Sequence, residues 1–449
     1  MTTSRRDTDR EILRLAVPAF LALIAEPLYL LADTAIVGHL GTAELAGVGI
    51  AGAIMQTLVG LCVFLAYGTT ASVARHLGAG DLRAALAQGV DGTWLAVGIG
   101  AVVTVAGIVL TGPLVGLFGV RGEVAEHAET YLRIAVLGTT PLLVMLATTG
   151  VLRGLQDTTT PLVVAIGGNV LNVVLNFALV YGLGPVPALG VAGAAIGSVV
   201  AQTLSALVLV AVVIRAAREH EAPLSPDLPG IRAAARAGVA LVIRTLTLRA
   251  ALLVHTYAVT LAHSTPGATS VDIATHQIAA TLWTFLAFAL DAIAIAAQAL
   301  TGRALGAGDV ATTRRLTTRM IQWGVAAGVV TGVGLAALSP YLGPLFSPDA
   351  DVQDLLVPVL VVAALGQPIA GVVFVLDGVL IGAGDGPYLA WAGLGVLALC
   401  APAMIVAAWA FGTVVAVWAA MVVLFMGGRC ALLWHRARGD AWLVTGAAR

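Results

Sequence analysis

The sequence predicts an all-α polytopic membrane protein of twelve transmembrane helices in two six-helix lobes. Two observations carry that prediction, the apolar content and a set of matches between the two halves of the chain. Of 449 residues, 59% are hydrophobic and 10% charged, against roughly 45–50% and about 25% in a soluble domain. A soluble fold of this size has too little interior to hide that much apolar surface. Apolar runs of about 20 residues, the length that crosses a hydrocarbon core, recur along the whole chain with Gly- and Arg-bearing breaks between them.

Taken in order, spans are expected near residues 11–38, 44–73, 88–112, 127–152, 160–183, 189–214, 236–262, 270–302, 314–338, 352–381, 386–408 and 412–434. The first run is too long for a signal-peptide core and carries no small-residue cleavage pattern, so it is read as retained. Arginines cluster before span 1 (Arg5, Arg6, Arg10, Arg14), between spans 2 and 3 (Arg75, Arg83) and between spans 6 and 7 (Arg215, Arg218, Arg232, Arg236). They recur after span 8 (Arg303, Arg314, Arg315, Arg319) and at the C-terminus (Arg429, Arg436, Arg438). In a twelve-span topology all of these lie on one side, while the opposite loops carry Glu44, Glu123, Glu126, Asp349 and Asp351. The positive-inside rule then puts both termini in the cytoplasm of a cell's inner, or plasma, membrane.

The segment Arg75–Asp81 (RHLGAGD) reappears as Arg303–Asp309 (RALGAGD), 228 residues further on. The same displacement pairs Ala46 with Ala274, Ile50 with Ile278, Gly138 with Gly366, Gly150 with Gly378 and Asp157 with Asp385. Duplication is the economical explanation. It predicts an N-terminal lobe over 1–215, a cytoplasmic linker over 216–235 and a C-terminal lobe over 236–449. Six spans is an even number, so both lobes cross in the same sense, related by a pseudo-two-fold axis along the membrane normal. The two LGAGD loops are expected to make tight turns and cap helices through Asp81 and Asp309.

Composition also excludes mechanisms. Every one of the 23 basic side chains is Arg, and the chain has no Lys. A Walker A loop and a Schiff-base enzyme both require one, so ATP-driven transport by this chain alone is not expected. The three cysteines, Cys62, Cys400 and Cys430, form no metal-like spacing and read as packing residues. No metal or other cofactor is expected. No His/Glu metal pattern or Ser/His pair at one depth points to an intramembrane enzyme.

With these motifs laid out, the chain resembles the multidrug and toxic compound extrusion (MATE) family, within it the DinF-like branch. The residues carrying the likeness are Glu26–Gly41 (EPLYLLADTAIVGHLG), both LGAGD loops, Gly150–Asp157 (GVLRGLQD), Asn169–Asn176 (NVLNVVLN) and Ala274–Ala279 (ATHQIA). The resemblance implies a two-lobed antiporter that exports amphipathic, often cationic, small molecules in exchange for protons or sodium ions. Its partners are then those substrates and the lipid bilayer, with no nucleic acid, and the expected state is a monomer. The runner-up within the same superfamily is a flippase of lipid precursors or polysaccharides. A channel is disfavoured by the duplicated halves and the buried acid, which suit alternating access.

Asp33 sits deep in span 1, far from any Arg cluster, where an uncompensated carboxylate costs at least a few kcal/mol. Such a group is expected to be paired, hydrated or protonated. One proton crossing ~100 mV contributes ~2.3 kcal/mol and one pH unit adds ~1.4, enough for a several-hundred-fold gradient of a neutral substrate. In the family pattern the span 1 acid faces polar residues of spans 5 and 6, which here are Asn172, Asn176 and Ser198. Asn172 and Asn176 are one helical turn apart on one face. Many family members carry Asp where this chain has Asn176, and a sodium site prefers several hard oxygens and a second carboxylate, so the departure tilts the reading toward protons. Glu26 lies seven residues before Asp33 and is a candidate relay. Pro18 and Pro27 each remove a backbone bond in span 1 and are candidate bending points. In the second lobe Asp291 and Gln298 of span 8, Asp377 of span 10 and Arg249 of span 7 form a second polar set, with Arg249 expected to pair with Asp291 or Asp377. The bland alternatives are interhelical packing for the asparagines and Glu26, and hydrogen bonding for His276.

Overall fold

A computed structural model describes residues 5–184, 187–262 and 268–447. Among them, twelve helices are long and apolar enough to cross a membrane. The first six are α1 (Arg5–Gly38), α2 (Thr42–Gly78), α3 (Leu82–Gly116), α4 (Glu123–Gly154), α5 (Thr159–Tyr181) and α6 (Gly190–Glu219). The second six are α7 (Leu228–Thr260), α8 (Ala268–Gly306), α9 (Val310–Phe346), α10 (Ala350–Gly382), α11 (Gly386–Phe411) and α12 (Val414–Arg438). The all-α, twelve-span expectation is met. The shortest, α5, has 23 residues and the longest, α8, has 39. At 1.5 Å per residue every one exceeds the ~30 Å of a hydrocarbon core, so the long ones project beyond it. Three helices carry local irregularities. Helix α2 is interrupted at Val63, α4 tightens to a 3₁₀ turn over Val136–Gly138, and α12 loosens to a π-turn over Met421–Met426.

The chain packs as two compact units, residues 17–238 and residues 239–447 together with 5–16. The first turns of α1 therefore belong with the C-terminal helices. Asp9 accepts from Arg319 Nε at 2.6 Å, Arg319 Nη2 at 2.7 Å and Trp323 Nε1 at 2.9 Å, and Arg303 donates to Glu11 at 2.5 Å. Correspondingly, the first turns of α7 belong with the N-terminal helices. There the Asp227 amide donates to Asp91 of α3 at 2.9 Å, and the Asp227 carboxylate accepts from the Gly230 amide at 3.0 Å, ordering the start of α7. Only 220–227 of the expected linker lies outside helices.

The duplication is visible in backbone geometry. Gly80 and Gly308 are both left-handed, with φ of 80° and 74°. After each, an aspartate closes the preceding helix with a backbone bond, Asp81 N–H to His76 and Asp309 N–H to Ala304, both 3.1 Å. The same two side chains then open the next helix, accepting from the amides of Ala84 and Thr312 at 2.8 Å. The loops thus end one helix and cap another, as their sequence suggests. A second matched pair of turns places Gln156 and Gly384 at φ of 66° and 71°, with Asp157 and Asp385 following.

Within the C-terminal unit α9 and α10 touch backbone to backbone. A methyl on Gly324 would lie 2.5 Å from the Gly371 carbonyl, and one on Gly332 would lie 2.6 Å from that of Ala364. Small residues four apart are what allow two apolar helices to approach this closely in a membrane, where hydrophobic attraction between them is absent.

Candidate functional site

Asp33 lies in the N-terminal unit, five residues before the end of α1, and is buried. Every hydrogen-bond partner it has is neutral. Asn176 Nδ2 donates to Asp33 Oδ1 at 2.5 Å and also to Asn172 Oδ1 at 3.1 Å. Asn172 Nδ2 passes the chain on to Ser198 Oγ at 3.1 Å, and Tyr29 and Ser198 share a hydrogen bond of 3.0 Å. The Tyr131 hydroxyl of α4 is within hydrogen-bonding reach of both Asp33 and Ser198. The structure therefore brings together Asp33, Asn172, Asn176 and Ser198, all four buried.

Each helix contributes through its own spacing. In α5 the four-residue interval of Asn172 and Asn176 stacks two carboxamides on one face. In α6, Gly197 precedes Ser198 and leaves room for Asn176, because a methyl there would strike Asn176 Oδ1 and come within 3.1 Å of the Asn176 amide nitrogen. That Oδ1 is itself buried without a hydrogen-bond partner. The third asparagine, Asn169, donates from Nδ2 to the Ala25 carbonyl at 2.7 Å, two residues before Pro27 in α1. Glu26 has an exposed side on α1 and stands three residues before Tyr29 of the buried chain of bonds. Pro18 and Pro27 both lie inside an unbroken α1.

In the C-terminal unit the expected ion pair has different members. Asp377 is bridged by Arg244 of α7 and by Arg429 of α12, the latter at 3.3 Å, whereas Arg249 is exposed. The reason is helical phase. Arg244 and Arg249 are five residues apart, about 140° around the helix, so only one of them can face α10. Thr247, three residues after Arg244, packs on the same side, close beneath Gly393 of α11. Arg429, read from the sequence as part of a cytoplasmic cluster, is inside α12 with its guanidinium 5.6 Å from the Phe425 ring. Gln298 is buried and Asp291 half-buried on α8, along the stretch where α8 meets the Gly378 and Gly382 positions of α10.

Two members of the buried cluster escaped the sequence reading. Tyr29 had a signal, since it stands one turn before Asp33 on the same helix face. Tyr131 had none, because nothing in α4 marks which of its polar residues turns toward α1.

The MatE family model matches residues 18–178 and 250–400, one stretch in each half. The chain belongs to the MatE family. Among its relatives, the protein DETOXIFICATION 44, chloroplastic, of Arabidopsis thaliana is 34% identical over 421 residues, covering 90% of this chain and 77% of its own length. The DNA damage-inducible protein F of Escherichia coli K12 is 30% identical over 385 residues, covering 84% and 81%. A crystal structure of MATE in the straight conformation superposes with a TM-score of 0.86 at 21% identity, covering 97% of both chains. The chain is a MatE-fold, multi-pass membrane transporter of the multidrug-efflux type and not an enzyme. The match stands at the level of the family.

Proposed function

We propose that this MatE protein is a proton-coupled antiporter of the DinF-like branch. It exports amphipathic, often cationic, small molecules across the inner, or plasma, membrane, works as a monomer and keeps both termini in the cytoplasm. The observation that carries the reading is the Asp33 carboxylate, buried and held only by neutral donors, with Asn176 at 2.5 Å. A carboxylate so placed exchanges a proton without breaking an ion pair, and an intramembrane acid of this kind is functional by default. Asn176 turns its NH₂ toward Asp33, which fills the place a second carboxylate would need to hold a sodium ion between hard oxygens. The Escherichia coli relative supports the branch. The Arg-rich ends and loops, all on one side of an even number of spans, support the orientation.

Purified protein in liposomes, loaded with a fluorescent organic cation, tests the reading. An imposed pH gradient is expected to drive efflux, and Asp33→Asn to remove that drive while leaving the protein folded. Efflux driven by sodium alone, wild-type coupling in Asp33→Asn, or no efflux under either gradient would overturn the proposal, the last result favouring a flippase.

A further inference from the structure

Three buried polar atoms of the C-terminal unit that lack a hydrogen-bond partner gather at one place. His255 of α7, His276 of α8 and Trp418 of α12 are all buried. Their ring centroids stand 4.8 Å (His255–His276), 4.9 Å (His255–Trp418) and 5.8 Å (His276–Trp418) apart, and Trp283 of α8 adds a second indole 6.2 Å from Trp418. His276 Nε2 lies 3.0 Å from the Thr256 hydroxyl. That hydroxyl has one hydrogen, which it gives to the Leu252 carbonyl at 3.1 Å, so toward His276 it accepts and Nε2 carries the hydrogen. In a neutral imidazole the lone pair is then on Nδ1. Nδ1 of His276 is buried with no hydrogen-bond partner, and so are His255 Nε2 and Trp418 Nε1. Native interiors rarely leave such atoms bare, and three in one cluster call for a role.

We propose that His255 and His276 form a second proton-binding site, separate from Asp33 and confined to the C-terminal unit. The proton bonds to the bare Nδ1 lone pair of His276; it comes from hydronium, whose O–H bond breaks to leave a neutral water, and no bond in the protein breaks. The resulting imidazolium lies against His255 and within cation–π distance of the Trp418 ring. Two imidazolium ions 4.8 Å apart repel, so the pair holds one proton, shared as a unit.

Few other charges face the pair. On α8, Asp272 is buried one turn before His276 and is the nearest acid along that helix; on α7, Tyr257 is exposed. On α10, Asp349, Asp351 and Asp354 sit at the first turn, and Asp377, near the opposite end, is engaged by Arg244 and Arg429. The part of α12 around Trp418 contributes no titratable side chain. Burial of the rings disfavours an ionic charge and entry of water relieves that penalty, so the site loads when wetted and discharges when dry. Its place in the exchange cycle rests on the antiport reading above, whereas proton binding itself does not.

Proton counting in weakly buffered detergent solution tests the site without transport. Asp33→Asn is compared with the triple variant Asp33→Asn, His255→Gln, His276→Gln during acidification from about pH 8 to about pH 3. The expected result is one more proton taken up per chain by the single variant, and equal uptake overturns the proposal. If the triple variant does not fold, ¹⁵N-histidine spectra of the wild type decide. The chain has eight histidines, and two of them are expected to shift together and to share one proton. A buried pair that stays neutral across that range, or histidines that all titrate independently, overturns it. Failure of the liposome efflux above would remove the antiport reading and leave this outcome unaffected.

Discussion

Replacing Gly197 by Ala tests how the buried carboxylate is held without touching it. The added methyl would collide with Asn176 Oδ1, and the Asn176 backbone nitrogen 3.1 Å away blocks retreat in the other direction. To restore ordinary contact the carboxamide must swing by about 1 Å or more, which breaks its 2.5 Å bond to Asp33 and its 3.1 Å bond to Asn172. Overpacking costs ~1–3 kcal/mol, and each interhelical hydrogen bond in a membrane contributes about 0.6 kcal/mol on average. The sum is a loss of roughly 2–4 kcal/mol. Thermal unfolding in detergent should show it as a lowered Tm, and proton-driven efflux in liposomes should fall with it. The decisive comparison is the double variant Gly197→Ala, Asn176→Ala, in which the new methyl enters space the shortened side chain vacates. Its loss should fall short of the sum of the single losses by roughly 0.5–3 kcal/mol, the range for side chains in contact. Strictly additive losses, or a Gly197→Ala protein with wild-type Tm and efflux, would refute the argument that Gly197 positions Asn176 for Asp33.

Two further outcomes follow from the C-terminal unit and its loops. Asp377→Asn strips two buried guanidiniums of the carboxylate they share and is expected to destabilise by about 3–5 kcal/mol, whereas Arg249→Ala, on the exposed face, should stay within about 0.5 kcal/mol, both measured by unfolding in detergent. Asp309→Ala should cost about 1 kcal/mol through the lost helix cap. The Thr312 hydroxyl and amide hold the Asp309 carboxyl below the usual carboxylate range. Its contribution is therefore complete above the unfolded value near ~3.9 and fades as pH falls through the lower folded value. The stability gap between wild type and Asp309→Ala should be constant from about pH 8 to 5 and narrow below about pH 4, and a gap that widens on acidification would contradict this.

The twelve spans and the duplication were legible because both are properties of pattern. Hydropathy over twenty residues does not depend on which neighbour a helix finds, and the shared RxLGAGD words encode a left-handed turn and a cap by local chemistry alone. The Asp33 cluster was legible in four members because the family pattern named the facing helices and a four-residue interval fixed the face. Tyr131 depends on how α4 rotates against α1, which no local spacing records. The Arg249 expectation shows the same limit from the other side. Depth in an apolar run singles out an intramembrane charge, but Arg244 and Arg249 are both deep, and only the packing of α7 against α10 and α11 selects which one is buried. Arg429 was masked by its neighbours Arg436 and Arg438, which made a membrane-embedded guanidinium look like the edge of a soluble cluster.

Among the described residues, α1 and α7 are the helices divided between the two units, α1 between Ala16 and Val17 and α7 between Gly238 and Val239. These two helices carry the chain from one unit into the other within a continuous run of helical backbone. One break falls beside Pro18, where the ladder has already lost a rung, and the other beside Gly238, whose missing side chain admits the Phe64 ring. The helix that carries Asp33 is thus also one shared by both units, and a substitution at residues 16–18 or 238–239 is expected to change the transport rate while leaving the Asp33 hydrogen bonds in place.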